Sequence, residues 1–290
     1  MPHNTLQRHL LYLEQDKQNV NLLLTVSDCY LQIADFTSAQ RYLDDAKRYT
    51  ANPQRLVYLE ARLLHHLQQT DKAIALLEQS LTHCSTNADA MGLLALLYFD
   101  NHDIEKATLT ASATLTLDPM HPNGQLVNLL LKSLRQEVSP DEIEYLLKSQ
   151  PQESRLWFVL GTTQLRLMNC PAAERAFNQT AQIHTQFYDN WICLGWCHLL
   201  QNNLDSAETA YEQAIAIDTE RADGFGGLGL VYALRNQVTD ATHWLSQTEQ
   251  RDPESFNAKI TRMLLANPLD HDTAAKEFYS LFPEVAKKAL

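Results

Sequence analysis

One spacing governs this sequence. Slid against itself by 34 residues, it lays Ala39, Ala73 and Ala107 on one another, and likewise Ala173, Ala207, Ala241 and Ala275. Ser139 takes the same slot between the two sets after a shift of two residues. Self-similarity at a fixed period of this length means an array of one small supersecondary unit. Each copy is too small to bury its apolar side alone, so neighbours stack. With the alanine as position 20, the repeats begin at Val20, Gln54, Ala88, Met120, Ser154, Tyr188, Ala222 and Phe256. The third runs two residues into the fourth, which marks the fourth as irregular. Residues 20–290 read as one array, and 1–19 as a capping segment whose residues 4–16 form a lone helix over the first repeat.

Other slots recur in the same register. Position 4 holds Leu23, Val57, Met91, Trp157, Trp191 and Phe225; position 8 holds Ser27, Ala61, Ala95, Gly161, Gly195 and Gly229. Position 24 holds Leu43, Leu77, Phe177, Tyr211, Leu245 and Tyr279, and position 32 holds Pro119, Pro151 and Pro253. Apolar residues recur at helical spacing from position 4 to 14 and again from 18 to 30. Asn101-His102-Asp103, Asn202-Asn203 and Asn236-Gln237 break the pattern between them. Each repeat is therefore helix A, a tight turn, helix B and a second turn. The small residue at position 8 faces the alanine at 20 and lets the two helices cross closely, while large residues fill the volume on either side. Proline at 32 stops helix B, because it has no N–H and clashes with the preceding turn.

Composition agrees. Only 8 Gly and 10 Pro in 290 residues argue against a turn-rich β-fold. A net charge of −12 with no basic run makes a poor non-specific binder of nucleic acid or of an anionic membrane, and neither is expected as a partner. No apolar stretch approaches the roughly 20 residues that span a bilayer, and the N-terminal residues lack a signal-peptide core. The five cysteines, Cys29, Cys84, Cys170, Cys193 and Cys197, are odd in number, so reduced thiols and a cytoplasmic location are the expectation.

Trp157-x2-Leu160-Gly161, Trp191-x2-Leu194-Gly195 and Phe225-x2-Leu228-Gly229-x2-Tyr232, each followed by the alanine and then an aromatic or Leu, carry a family resemblance. The pattern resembles the tetratricopeptide repeat and covers residues 20 to about 289. The resemblance implies an all-α fold, a right-handed superhelix of antiparallel helix pairs. It also implies a non-enzymatic scaffold or adaptor that binds a peptide or helix of a partner protein on its concave wall, with no cofactor. In that family the wall is lined by helix-A positions 2, 5, 6, 9, 12 and 13. Here these slots give Arg55, Tyr58 and Arg62, then Leu96 and Phe99, then Arg155, Phe158 and Arg166, and finally Ile192 and Trp196. Aromatic residues and arginine dominate hot spots at interfaces. Phe99, Phe158 and Trp196 are the expected anchors, and Arg62, Arg155 and Arg166 the expected partners of carboxylates. A subset of the family clamps chaperone C-termini with Lys at position 5; no repeat here has it, which disfavours that ligand.

Three local motifs are weighed against the repeat. Gly224-Phe225-Gly226-Gly227-Leu228-Gly229 matches a dinucleotide-binding G-x-G-x-x-G, but it falls inside a helix A and not between a strand and a helix. Its Gly226 and Gly227 fall on wall slots and are expected to leave a shallow spot. Cys193-x3-Cys197-His198 lacks two further ligands for zinc, and Cys197 occupies the apolar slot of Cys29 and Leu63, so no metal site is expected. His65-His66 reads as a solvated helix end. No nucleophile–base set or carboxylate pair stands out. The alternatives to a scaffold are a peptide-sensing regulator and a self-associating component, a homo-oligomer or a chain whose own Leu281–Leu290 segment, with Phe282 and Val285, fills the wall.

Overall fold

The computed structural model describes residues 2–49, 53–83 and 86–266, together with Thr273 and Lys276. Ala275, Tyr279 and the segment Leu281–Leu290 lie outside them. Among the described residues there are sixteen helices and no strand. A lone helix α1 (Pro2–Gln15) precedes seven helix pairs, A then B: α2 (Val20–Gln32) with α3 (Phe36–Tyr49), α4 (Pro53–His66) with α5 (Thr70–His83), α6 (Ala88–Asp100) with α7 (Ile104–Leu117), α8 (Pro122–Leu134) with α9 (Pro140–Leu147), α10 (Ser154–Arg166) with α11 (Cys170–Ile183), α12 (Tyr188–Leu200) with α13 (Leu204–Ile217), and α14 (Ala222–Leu234) with α15 (Val238–Arg251). Helix α16 (Phe256–Ala266) opens an eighth repeat. The chain forms two compact units, divided between Arg135 and Gln136.

Within each unit the helices A pack on one another in succession. Each helix B lies against its own helix A and against the next one, except α9, which packs on the α10 that follows it. The alanine slot is buried in every described repeat that keeps it: Ala39, Ala73, Ala107, Ala173, Ala207 and Ala241 have no exposed surface. In the first repeat Ser27 at position 8 donates to the carbonyl of Ala39 at position 20 (3.0 Å), so the two slots face as expected. The glycines at position 8 have a further task. A Cβ on Gly161 would fall 2.4 Å from the ring of Phe177, and one on Gly195 2.5 Å from Tyr211. At these two glycines the aromatic side chain at position 24 occupies the space left open; at Gly229 it is Thr261 of the next repeat that comes nearest (3.3 Å).

The turn from A to B is the second constant. Ala34, Gln68, His102, Gln136, Met168, Asn202 and Asn236 all adopt left-handed backbone with φ of 56–60°. Each is at position 15 of its repeat, Gln136 when the fourth repeat is counted from Pro122, where its helix A begins. In six of these turns the next residue donates its N–H to the carbonyl five residues earlier, as in Asp35 to Tyr30 (3.0 Å) and Asn203 to His198 (2.9 Å). That bond closes helix A on its own last turn. Asn and Asp caps begin many of the helices: Asn19, Asn87, Asp103 and Asn203 each accept from a backbone N–H three residues on. The indoles at position 4 secure the preceding turn, with Trp157 donating to Pro151 O and Trp191 to Thr185 O, both at 2.9 Å.

The fourth repeat departs from the sequence reading. Its helix A begins at Pro122, 34 residues after Ala88, and not at Met120. The two missing residues come out of helix B: α9 has 8 residues where the other helices B have 14. Ser139 is not in the buried alanine slot. It is exposed and caps α9, accepting from Glu142 N while the Glu142 carboxylate accepts from Ser139 N (3.0 Å). Pro140 is the first helical residue, and its ring cannot continue a helix backwards. Ile143, Leu146 and Leu147 bury what remains.

Candidate binding site

The ten wall residues expected from the sequence divide between the two units. Arg55, Tyr58, Arg62, Leu96 and Phe99 lie in the first; Arg155, Phe158, Arg166, Ile192 and Trp196 lie in the second.

In the first unit these side chains are largely occupied within the chain. Arg62 pairs with Asp28 (2.5 Å), which holds the same position one repeat earlier, and its guanidinium lies 5.7 Å from the centre of the Tyr58 ring. Burial pushes the Tyr58 phenol above its ordinary pKa. Arg55 donates to the Thr25 hydroxyl (3.0 Å). Tyr58, Leu96 and Phe99 pack against the core of Ala61, Leu93, Leu97 and Tyr98. His65 lies 3.5 Å from Asp100, and His66 stacks on Phe36 at 5.2 Å, so this pair is not merely a solvated helix end.

In the second unit Arg155 sits 4.0 Å from Glu153. Phe158 packs between Phe177 and Phe187, with ring centres at 5.9 and 4.7 Å. Ile192 and Trp196 flank the core that contains Tyr211, Leu228 and Leu230. Trp196 and Arg166 also line an open pocket of about 470 Å³, together with Thr162, Leu165, Met168, Leu200 and Phe256. Trp196 meets Phe256 at 6.2 Å between ring centres, and Phe256 is 61% exposed. Sequence reasoning passed over Phe256 and Met168. Phe256 is the first residue of its repeat and Met168 is the left-handed turn residue; neither is a wall slot in the family pattern. An exposed aromatic opening a helix was the available signal.

The glycine motif is part of the packing. Gly226 and Gly227 are buried in α14: a Cβ would lie 2.6 Å from Asn257 on Gly226 and 2.4 Å from Tyr211 on Gly227. The expected shallow spot is filled by those two side chains. Cys197 is fully buried, and burial pushes the Cys193 thiol up to about 12 and that of Cys197 higher still. Among the described residues no group of three or more His, Cys, Asp or Glu could hold a metal ion, and no helix is long and apolar enough to cross a membrane.

The tetratricopeptide repeat family matches residues 188–221, which are α12, α13 and the turn that follows. That pair recurs along the chain with the same turn and the same buried slots. Residues 188–221 are a tetratricopeptide repeat by sequence, and the rest of the chain repeats its fold. No curated protein matches it in sequence. Among solved structures, the tetratricopeptide repeat protein YrrB is 18% identical with a TM-score of 0.51, over 64% of this chain and 97% of that one. The Cut9–Hcn1 hetero-tetramer of the APC/C is 15% identical with a TM-score of 0.65, over 93% of this chain and 53% of that one. PilW, a type IV pilus biogenesis factor, is 16% identical with a TM-score of 0.55, over 72% and 98%. At these identities the likeness is one of fold.

Proposed function

We propose that this repeat protein acts by recognition and not by catalysis, holding a segment of a partner protein against the helices A of its second unit. The carrying observation is the pocket between Trp196 and Phe256. Two aromatic rings, Leu165, Met168 and Leu200 form an apolar cavity open to solvent. An opening of this kind takes a large apolar side chain, and aromatic walls give wide contact for little entropy loss. Of the residues expected to bind, Trp196 and Arg166 are the two that line this cavity. Arg62 and Arg155 face carboxylates of their own chain, and this reading leaves Arg62 as a tie between repeats and Arg155 beside the cap of its own helix. The fold is one shared with proteins that work by association: YrrB is described as having an unusual peptide-binding site, and the Cut9–Hcn1 structure is an assembly of two proteins.

The test is capture of partners from a lysate of the native organism by the immobilised chain, with Trp196→Ala and Phe256→Ser as comparisons. Loss of the captured proteins in both variants, at unchanged helical content, is expected. Undiminished capture would move the binding surface elsewhere.

A further inference from the structure

This inference rests on the preceding reading and concerns the chemistry of the segment. We infer that the segment carries a carboxylate close to its apolar anchor, and that Arg166 receives it.

Arg166 is the last residue of α10, exposed, and the one charged side chain lining the pocket. Its position at a helix C-terminus, among carbonyls without intrahelical partners, suits a cation. The helix-A arginines Arg62 and Arg155 already face Asp28 and Glu153. No carboxylate of the described residues pairs with Arg166, in a chain of net charge −12. The rest of the lining offers a ligand little polar pairing. Leu165, Met168, Trp196, Leu200 and Phe256 present apolar walls, and the Thr162 hydroxyl donates to Val159 O (3.1 Å). A polar group brought here with the anchor therefore meets one guanidinium, which offers two parallel donors matched to a carboxylate. A single cation balances the single charge of a carboxylate better than the near-double charge of a phosphate. Because the chain is acidic elsewhere, the pair also fixes the register of the segment: a carboxylate placed away from Arg166 is repelled. No lysine takes part, so the site differs from the lysine-based clamp absent from these repeats.

We assign the carboxylate to an Asp or Glu side chain of the segment; a free C-terminus is the alternative that display in two formats would reveal. Random twelve-residue peptides, displayed either within a constrained loop or with a free C-terminus, would be selected on the full chain and on its Trp196→Ala and Arg166→Glu variants. All three would first be checked for equal thermal unfolding. From the unaltered chain we expect sequences that combine Trp, Phe, Leu or Met with an acid within about one helical turn. Arg166→Glu should weaken them roughly tenfold or more and enrich Lys or Arg at the acid position. Enrichment in the loop format is expected and supports a side chain; enrichment only with a free C-terminus would overturn that assignment in favour of the terminus. Peptides weakened by Trp196→Ala but indifferent to Arg166→Glu would overturn the carboxylate inference and leave the pocket standing. Peptides indifferent to Trp196→Ala, or no enrichment in either format, would overturn the pocket reading and this inference with it.

Discussion

A methyl group on Gly195 would lie 2.5 Å from the ring of Tyr211, which is itself fully buried and sits equally close to Gly227. The ring thus occupies space left by glycines of two successive repeats. Gly195→Ala and Gly227→Ala should each destabilise the chain by about 1–3 kcal/mol, the usual range for overpacking. Because both press on one ring, the double variant should lose less than the sum. Urea unfolding of the four chains checks this; neutral single substitutions would contradict the packing.

The same ring carries a hydroxyl that has no hydrogen-bond partner among the described residues. Burial holds its pKa well above the ordinary phenol value, so it stays protonated. A buried, unpaired polar group costs about 1–3 kcal/mol. Tyr211→Phe should therefore raise the unfolding midpoint, by about 1 kcal/mol in stability. A loss of stability would mean that the hydroxyl is satisfied in solution.

Gln68 and Ala34 are exposed and left-handed, with φ of 60°. A side chain in this conformation costs about 1–2 kcal/mol relative to glycine, against about 0.5–1 kcal/mol of added freedom for glycine in the unfolded chain. Gln68→Gly and Ala34→Gly should stabilise by about 0.5 kcal/mol each, the balance of these two ranges. Asn202→Gly should change little, since asparagine tolerates this region through local hydrogen bonds. Thermal unfolding of the three variants ranks them.

His198 is 8% exposed, and burial lowers its pKa, with Glu174 acting weakly the other way. A folded pKa below the unfolded value of about 6.5 means that the unfolded chain binds the proton more readily. The neutral ring's contribution to stability is therefore complete above about pH 6.5 and is lost as the pH falls through the folded value. Stability should drop from pH 7 towards pH 5, and His198→Gln should make that fall shallower. Parallel slopes for the two chains would show that His198 does not contribute.

Much of this was open to reading. The period, the alanine slot and the helix breakers placed the pairs, because they report local sterics that any copy of the repeat must satisfy. The wall pattern gives Arg62 to a partner's carboxylate, and it pairs instead with Asp28; the signal passed over was that opposite charges hold one position in successive repeats, which stacked helices A bring together. Ser139 misled because alignment by similarity cannot tell a buried small residue from a cap; Pro140 beside it was the better guide. The pocket was only half legible. Trp196 fell in a wall slot, but its neighbour Phe256 comes from two repeats onward, and that approach depends on the rotation between repeats, which no single slot encodes.

The short α9 also says where this array can absorb errors of length. In a helix each residue turns the chain by about 100°, so losing two inside α8 would rotate everything after them by about 200° and carry buried positions such as Leu129 and Leu130 to the outside. Taken instead from the span between Leu134 and Ile143, the same loss shortens one helix, and the next repeat still opens a full-length helix A at Ser154. A foreign loop or tag inserted between Gln136 and Glu137, both exposed, should accordingly leave the angular phase of every helix intact, whereas the same insertion within a helix A would scramble one face of the chain.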